Sequence, residues 1–482
     1  MEINLKFNKD FERQLTLLRE KYGEDFEVLN GIHETQMNFS DFIDAFVDKN
    51  VADVTIDANA NVSSKDIASF RNEKGKSIDK VIAANKIFHE IKKKYGLKTA
   101  KEWLETEYTG GFYLHDFPST SYIPYCYAYD LSRLATEGLF FLKNYNNQPP
   151  KHLTTFLDDV IEFVSYMANR SSGAVGLPNI LLWTYYFWKK DVESGHYIKN
   201  PEYYLRQCFQ KFIYRLNQPF MRVDQTAFVN VSIFDKHYYQ ALFGGVIFPD
   251  DTFAIDYEEG FIDHEKVFME VVSEIRSENM FTFPVLTYSL LKRDDLTPEM
   301  INEMFQTRKF EIFADNDFAR WCSDHNVSWN DSNFFLSEDV TTLSNCCRLL
   351  SDTSKLKGFI NSIGGTALSI GSIKVNTINL LHMFYELGDE VSAKKYLSLL
   401  KKRTLLCCKV LDRVRYIIKR NIEKGLLPNY CDGGVELDKQ YCTIGILGLY
   451  ELMEKFGYIE TDEFGNKISS ITTFKGNGGL QQ

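Results

Sequence analysis

The stretch AFVNVSIF, Ala227 to Phe234, is a short apolar run rich in β-branched residues, which predicts a buried strand. Similar runs recur along the chain, namely GGVIFP (244–249), MFTFPVLTYSLL (280–291), SIKVNTINLL (372–381) and YCTIGILGLYE (441–451). Segments with helical spacing of apolar residues lie between them. Short strands that alternate with helices favour an α/β architecture over a β-sandwich.

Upstream of these runs the pattern is mainly helical. FERQLTLLREKYG (11–23) and IDKVIAANKIFHEIKKKYG (78–96) space apolar residues as helices do, and the polar run from Asp57 to Lys76 between them predicts a solvated loop. The segment 109–131 predicts a short buried strand around Cys126. We therefore divide the chain into a helical region (1–105), an α/β domain (106–460) and a poorly ordered tail (461–482).

Composition excludes several classes of protein. The 482 residues are 44% hydrophobic and 15% aromatic, which is typical of a globular protein with a ring-rich core. A net charge of −11 argues against wrapping a nucleic acid. No run approaches the roughly 18 apolar residues of a membrane span, and the charged start MEINLKFNKDFERQL does not resemble a signal peptide. A cytoplasmic protein with no nucleic-acid or membrane partner is predicted.

The cysteines direct attention to one loop. Nine cysteines without an export signal or a C-x-x-C pair predict neither a disulfide framework nor a metal site. Within TTLSNCCRLLSD (341–352), Cys347 lies beside Arg348, whose cation favours a thiolate or binds a substrate anion. The alternative is a cysteine that packs as a small hydrophobe. GGTALSIGS (364–372) is either a phosphate-binding turn or a structural one.

Ten stretches, read in chain order, resemble the catalytic subunit of the anaerobic (class III) ribonucleoside-triphosphate reductases. They are DANANVSSK, GGFYLHDF, PPKHLTTFLDDVIEFV, GAVGLPN, FVNVSIFD, GGVIFPD, FTFPVLT, SNCCR, GSIKVNTINL and YCTIGILGLYE. The resemblance implies a ten-stranded α/β barrel of two five-stranded halves, in the manner of glycyl-radical enzymes. A finger loop near 341–352 would cross the barrel and carry SNCCR at its tip.

The resemblance also implies catalytic roles. Cys347 is similar to the cysteine that becomes a thiyl radical and removes hydrogen from the ribose 3′ carbon, and Asn345 is spaced as a partner of a substrate hydroxyl. Cys126 resembles the cysteine that supplies hydrogen to the 2′ carbon. Because Cys346 directly precedes the radical cysteine, we expect it to form a disulfide with Cys126. A thioredoxin-like protein, rather than formate, would then reduce this disulfide.

Nucleotide contacts follow from the same resemblance. Substrate-binding residues are expected in the finger loop and in the glycine-rich turn, namely Arg348, Gly364, Gly365, Gly371 and Ser372. Lys151 and His152, at the start of a predicted helix, would contact a deoxynucleoside triphosphate (dNTP) effector near a homodimer interface. Ordinary helix-terminal residues are an equally good interpretation of that pair.

Two parts of the family pattern have no counterpart in the sequence. No ATP cone is recognisable before residue 50, and GNGGLQQ does not resemble the glycyl-radical segment R-V-x-G-Y. We therefore expect a glycyl radical on a separate polypeptide or a missing domain, generated by an activase with an iron-sulfur cluster and S-adenosylmethionine. Adenosylcobalamin or a metal-containing partner would be alternative sources of the radical. An inactive nucleotide-binding regulator, or a lyase acting on another substrate, are rival functions.

Overall fold

The structure is a computed structural model. It describes the backbone of residues 6–23, 67–117, 122–143, 147–195, 199–218, 221–222, 226–279, 281–309, 311–340, 342–344, 350–352, 369–461 and 467–469. Side chains are described from residue 79 onward in the helix that begins at Ile67.

One curled sheet of eight strands organises the described part of the chain. Five of these strands run parallel in chain order: β2 (Cys126–Ala128), β3 (Val175–Gly176), β4 (Val229–Phe234), β5 (Val285–Leu291) and β6 (Ser332–Ser337). The other three are β1 (Phe112–Leu114), β9 (Gly371–Asn379) and β10 (Gln440–Leu447). The α/β architecture with a five-stranded half is thus confirmed.

Strand β9 joins the two parts of the sheet. It runs antiparallel to β2 and β1 on one side and parallel to β10 on the other. The direction of the strands therefore reverses at the β2–β9 junction. Among the described residues, two small antiparallel hairpins lie outside this sheet: β7 (Thr342–Ser344) with β8 (Leu350–Asp352), and β11 (Ile459–Thr461) with β12 (Lys467–Ser469).

Helices cover the outer side of the sheet. In chain order they are α1 (Lys9–Tyr22), α2 (Ile67–Tyr95), α3 (Leu97–Tyr108), α4 (Ser132–Glu137), α5 (Leu153–Ala168), α6 (Ile180–Glu193), α7 (Pro201–Leu216), α8 (Lys236–Phe243), α9 (Glu258–Glu278), α10 (Pro298–Thr307), α11 (Asn316–Trp329), α12 (Leu380–Leu387), α13 (Ala393–Glu423), α14 (Pro428–Cys431) and α15 (Leu449–Lys455). Short 3₁₀ turns occupy Ala254–Tyr257, Gly388–Glu390 and Leu437–Lys439.

In the described part of the chain, two hydrophobic cores lie behind the sheet. The first packs β3, β4 and β5 against helices such as α5, α6 and α9, and it is rich in aromatic rings. The second joins the N-terminal helices α1 to α3 to β9 and α13. The predicted helical region thus shares its core with the sheet, which packs the N-terminal helices directly against β9.

Two sequence predictions differ from the structure. GGVIFP is not a strand, because Gly244 closes α8 and the chain turns back so that Ile247 forms one isolated bridge with Phe253. The polar run 57–76 is not wholly a loop, since α2 begins at Ile67. Arg, Glu and Lys are good helix formers, so a polar stretch extends a helix without an apolar stripe. Residues 57–66 lie outside the described part.

Candidate active site

Cys126 begins β2 at the junction where the strand direction reverses. Its Cα pairs with that of Ser372 in β9, and only 1% of its surface is exposed. The next residue, Tyr127, packs into the first core. Because successive side chains of a strand point to opposite faces, Cys126 and its partner Ser372 face away from the helices. A short buried strand at Cys126 is therefore confirmed.

The face that turns away from the helices, here called the inner wall, is lined by small and polar side chains. Ser372 Oγ lies 3.1 Å from Thr443 Oγ1 of β10. On β4, Asn230 Nδ2 donates to the Val285 carbonyl at 3.1 Å. The inner wall comprises Cys126, Ala128, Gly176, Asn230, Ser232, Thr287, Ser289, Ser372 and Thr443. Such a surface suits a polar ligand that must approach the Cys126 thiol closely.

Gly371 is required by the packing of β9 on β2. A β-carbon at this position would lie 2.2 Å from the carbonyl oxygen of Cys126. Any side chain would therefore push the two strands apart and move the thiol. The contribution of Gly371 and Ser372 to phosphate binding stays a prediction.

An aromatic edge that the sequence analysis missed borders the inner wall. His115 follows β1, and its Nε2 lies 2.9 Å from Thr377 Oγ1 of β9. The His115 ring lies 4.8 Å from the ring of Tyr113 and 6.0 Å from that of Tyr125, the residue before Cys126. Tyr113 is 59% exposed. A flat base or sugar has stacking partners here.

A buried lysine was also missed. Lys374 has no exposed surface, and its Nζ lies 3.2 Å from Ser172 Oγ. Burial lowers the pKa of this ammonium from 10.5 to about 8, whereas the nearby Asp116 favours the charged form. A lysine within the predicted buried strand SIKVNTINLL was a signal available in the sequence, because such strands rarely bury an ammonium.

The finger-loop residues lie outside the described part of the chain. This applies to Asn345, Cys346, Cys347 and Arg348, and likewise to Gly364 and Gly365. The strands that flank SNCCR are described, and β7 pairs with β8 so that Ser344 opposes Leu350. Their proposed roles stay predictions.

The predicted effector residues lie at the beginning of α5. His152 Nδ1 lies 2.7 Å from Asp191 Oδ1 of α6, and Asp191 Oδ2 accepts the Leu153 backbone N–H at 2.9 Å and the Tyr204 hydroxyl at 2.8 Å. Asp191 thus satisfies the start of α5 and fixes the orientation of His152. Lys151 remains exposed beside it.

Several other cysteines lie in the helices and cores. Burial raises the pKa of Cys208 to about 11 and that of Cys407 to about 12, which makes both thiols unreactive. Cys408 and Cys431 are exposed. In the described ranges, no group of three His, Cys, Asp or Glu side chains is arranged to hold a metal ion. Across the same ranges, every helix is too short or too polar to cross a membrane.

Comparison with known proteins gives consistent results. The family model of the anaerobic ribonucleoside-triphosphate reductases matches residues 74–473. The anaerobic ribonucleotide reductase of Thermotoga maritima with citrate in its active site is 35% identical, with a TM-score of 0.80, covering 96% of this chain and 77% of that one. The same enzyme in complex with dATP and CTP has the same identity and score and covers 96% and 70%. No curated protein matches the chain.

A further solved structure, described as an anaerobic ribonucleotide reductase, is 37% identical with a TM-score of 0.81, covering 96% of this chain and 69% of the other. At these identities and coverages the likeness extends beyond the fold. The chain belongs to the anaerobic ribonucleoside-triphosphate reductases, a family of oxidoreductases that reduce ribonucleotides.

Proposed function

We propose that the chain reduces ribonucleoside triphosphates to 2′-deoxyribonucleotides by thiyl-radical chemistry on the inner wall, with Cys126 as the hydrogen donor. The observation that carries this proposal is the buried Cys126 thiol on a wall of small polar side chains, directly opposite Ser372. The Thermotoga maritima enzyme that binds dATP and CTP supports it.

The balance of the reaction assigns the cysteines. The Cys347 thiyl radical takes a hydrogen atom from the 3′ carbon. The 2′ hydroxyl then leaves as water with the proton that Cys346 gives up, while Cys126 gives its hydrogen to the 2′ carbon. Cys126 and Cys346 end as a disulfide, the 3′ hydrogen returns from Cys347, and the sugar has gained two electrons. Asn345 holds a substrate hydroxyl. A thioredoxin-like dithiol then reduces the disulfide and becomes oxidised itself.

The radical on Cys347 requires an outside source. A glycyl radical on a separate polypeptide or another domain, formed by an activase with an iron-sulfur cluster and S-adenosylmethionine, supplies it in this proposal. The chain's own contribution is to hold one sulfur against the ribose, where positioning governs the rate.

Nucleotide phosphates bind in the finger loop and in the glycine-rich stretch that leads into β9 in this proposal. Gly364, Gly365, Gly371, Ser372 and Arg348 hold the substrate triphosphate. A dNTP effector binds near Lys151 and His152 in a homodimer and tunes base preference. The structure of the Thermotoga maritima enzyme with dATP in its specificity site supports an effector site of this kind.

The test is a matched pair of serine variants. The chain is assayed anaerobically for deoxynucleotide formation, with an activase, a glycyl-radical polypeptide and a redoxin. Cys126→Ser is expected to abolish product while retaining nucleotide binding, whereas Cys431→Ser, at an exposed cysteine, is expected to leave turnover unchanged. Full turnover in Cys126→Ser would refute the proposal. Binding without turnover in every variant and in wild type would favour the inactive regulator.

A further inference from the structure

The junction at which β2 pairs with β9 is short for the geometry that it has to hold. Two pairs of residues align across it, Cys126 with Ser372 and Tyr127 with Gly371. The backbones are in close contact, because a β-carbon on Gly371 would lie 2.2 Å from the Cys126 carbonyl oxygen. A ladder of two residues supplies few backbone hydrogen bonds to maintain such a contact. Side chains must therefore help to fix the junction.

The hydroxyl of Tyr127 extends the junction by one residue. The Ile370 carbonyl accepts the Ala128 N–H at 2.8 Å, whereas the next amide along the chain, that of Tyr129, donates to β3 instead. The Ser369 carbonyl, which comes directly before Ile370, accepts the Tyr127 hydroxyl at 3.0 Å. A side chain of β2 thus replaces the backbone bond that β2 does not make at this position.

The same hydroxyl joins the junction to the segment that leads into β10. It accepts the Glu436 backbone N–H at 3.4 Å. The Tyr127 side chain is buried, and its ring lies in the first core, 5.0 Å from the ring of Tyr129. Burial raises the pKa of the Tyr127 phenol, so it keeps its proton and stays a donor to Ser369. A phenylalanine would fill the same space, so the hydroxyl alone provides these links.

Gln440 supports the same junction from the other side of β9. It begins β10, and its Cα pairs with that of Gly371. The Tyr430 hydroxyl donates to Gln440 Oε1, which leaves Nε2 directed at the Cys126 carbonyl oxygen at 3.5 Å. This contact is longer than the bond from Tyr127 to Ser369, so we assign the main effect to Tyr127.

We propose that Tyr127 is a positioning residue whose hydroxyl holds the beginning of β9 against β2, and so fixes Gly371 and Ser372 beside the Cys126 thiol. This inference rests on the proposed function of those three residues. Tyr127 itself packs in the first core and does not touch the substrate. Its hydroxyl raises the fraction of molecules in which the junction is closed, and the apparent affinity for the substrate follows that fraction.

The first measurement follows the junction without a nucleotide or a radical. Amide hydrogen exchange is measured by mass spectrometry on the peptides that contain Ala128, whose N–H is bonded to Ile370. In Tyr127→Phe this amide is expected to exchange roughly three- to tenfold faster than in wild type, which is the effect of losing one neutral hydrogen bond.

Tyr239→Phe is the matched control. Tyr239 is also a fully buried tyrosine, and its hydroxyl donates to the Ala254 carbonyl in the first core. The variant loses a bond of the same kind away from β9, so exchange at Ala128 is expected to stay at the wild-type rate. Equal acceleration in both variants would mean that Tyr127 acts only through global stability, which overturns the proposal.

Turnover separates a positioning role from a purely structural one. With ATP, CTP, GTP or UTP as substrate and a dNTP effector at saturation, KM is expected to rise by roughly three- to tenfold in Tyr127→Phe, because only the closed junction binds well. kcat is expected to stay unchanged, since saturating substrate closes the junction and Cys126 is intact. Tyr239→Phe is expected to keep both constants. Faster exchange at Ala128 with an unaltered KM would make Tyr127 a structural residue only.

The two proposals fail separately. If exchange at Ala128 responds to Tyr127→Phe but Cys126→Ser still makes deoxynucleotides, the proposed role of Cys126 falls, and the hold of Tyr127 on β9 stands. If Cys126→Ser is inactive but Tyr127→Phe matches wild type in both exchange and KM, the reductase stands, and the role of Tyr127 falls.

Discussion

The two faces of β4 and β5 are equally buried and chemically opposite. On the outer face Val231 and Tyr288 are fully buried against the helices, while on the inner wall Ser232 is 3% and Thr287 1% exposed. Buried parallel strands usually carry apolar side chains on both faces, because helices cover both. Here only the outer face follows that rule, so burial alone does not explain why the inner wall is polar.

A buried polar wall has a cost that the outer face does not have. Each buried hydroxyl or amide needs a partner, and an unpaired one destabilises the fold by about 1–3 kcal/mol. Asn230 finds the Val285 carbonyl and Ser372 finds Thr443, whereas Ser289 Oγ has no hydrogen-bond partner among the described residues. The outer face thus contributes apolar burial to stability, whereas the polar groups of the inner wall each need a hydrogen-bond partner.

Replacing one cysteine sulfur by oxygen on the inner wall, and one in the first core, is expected to give the largest difference in activity and stability. Cys126, on the inner wall, and Cys322, at 0% exposure in the first core, are both buried thiols. Cys126→Ser is expected to eliminate reduction with little loss of stability. Cys322→Ser is expected to cost about 1–3 kcal/mol, because it buries a hydroxyl in apolar surroundings, and to keep activity. Turnover and urea denaturation of both variants measure this, and loss of activity in Cys322→Ser alone would reverse the comparison.

Truncating neighbouring residues of β4 tests the same contrast in stability. Ile233→Ala, on the outer face, is expected to lower the free energy of unfolding by about 2–5 kcal/mol, since it opens a cavity in the first core. Ser232→Ala, one residue earlier on the inner wall, is expected to change it by less than about 1 kcal/mol. Equal losses of unfolding free energy in denaturant titrations would mean that the inner wall stabilises the fold as much as the first core does.

One carboxyl on the outer side is an informative exception. Glu107, 5% exposed in α3, accepts the Leu114 backbone N–H at 3.0 Å, and burial raises its pKa from 4.5 to about 7. Because the folded state holds the proton more tightly, the contribution of Glu107 to stability is complete below about pH 4.5 and is lost as the pH rises through about 7, by up to about 3 kcal/mol.

Glu107→Gln imitates the protonated acid at every pH. Relative to wild type, it is therefore expected to gain stability between pH 5 and pH 8, as measured by urea denaturation at both values. Parallel profiles for the two proteins would show that the carboxyl is already ionised in the folded state and that the outer side tolerates a charge.

Much of the outer face was predictable from sequence because periodicity reports burial. AFVNVSIF contains β4, and SIKVNTINLL forms most of β9 and the beginning of α12. The segment around Cys126 forms β2. The strand predicted for GGVIFP was wrong because the apolar residues follow the glycine pair that ends α8, so they lie in a turn and not in a strand. The strand β3 spans two residues of a small-residue break, Val175 and Gly176, and is defined only by its neighbours β2 and β4.

The candidate site was predictable where a thiol marks it and not where packing creates it. Cys126 was identified through the family resemblance, and the structure pairs it with Ser372 of β9. The His115–Thr377 and Lys374–Ser172 contacts each join residues more than two hundred positions apart in sequence. No local pattern encodes such a contact. Asp191, which holds His152, was likewise invisible in the α6 sequence.

The smallest expected effect tests whether the polarity of the inner wall matters apart from its shape. Thr287→Val replaces a hydroxyl by a methyl group of nearly the same volume at a position that is 1% exposed beside Asn230. We expect the free energy of unfolding to change by less than about 1.5 kcal/mol, since Asn230 keeps its bond to the Val285 carbonyl. If the wall holds a polar ligand, KM for the nucleotide rises several-fold while kcat is unchanged, because Thr287 on β5 lies three strands along the sheet from Cys126 on β2. Tyr288→Phe, next along β5 but on the outer face, is the control and is expected to leave KM unchanged. A thermal gain in Thr287→Val with unaltered kinetics would instead mean that the polarity of the inner wall does not serve substrate binding.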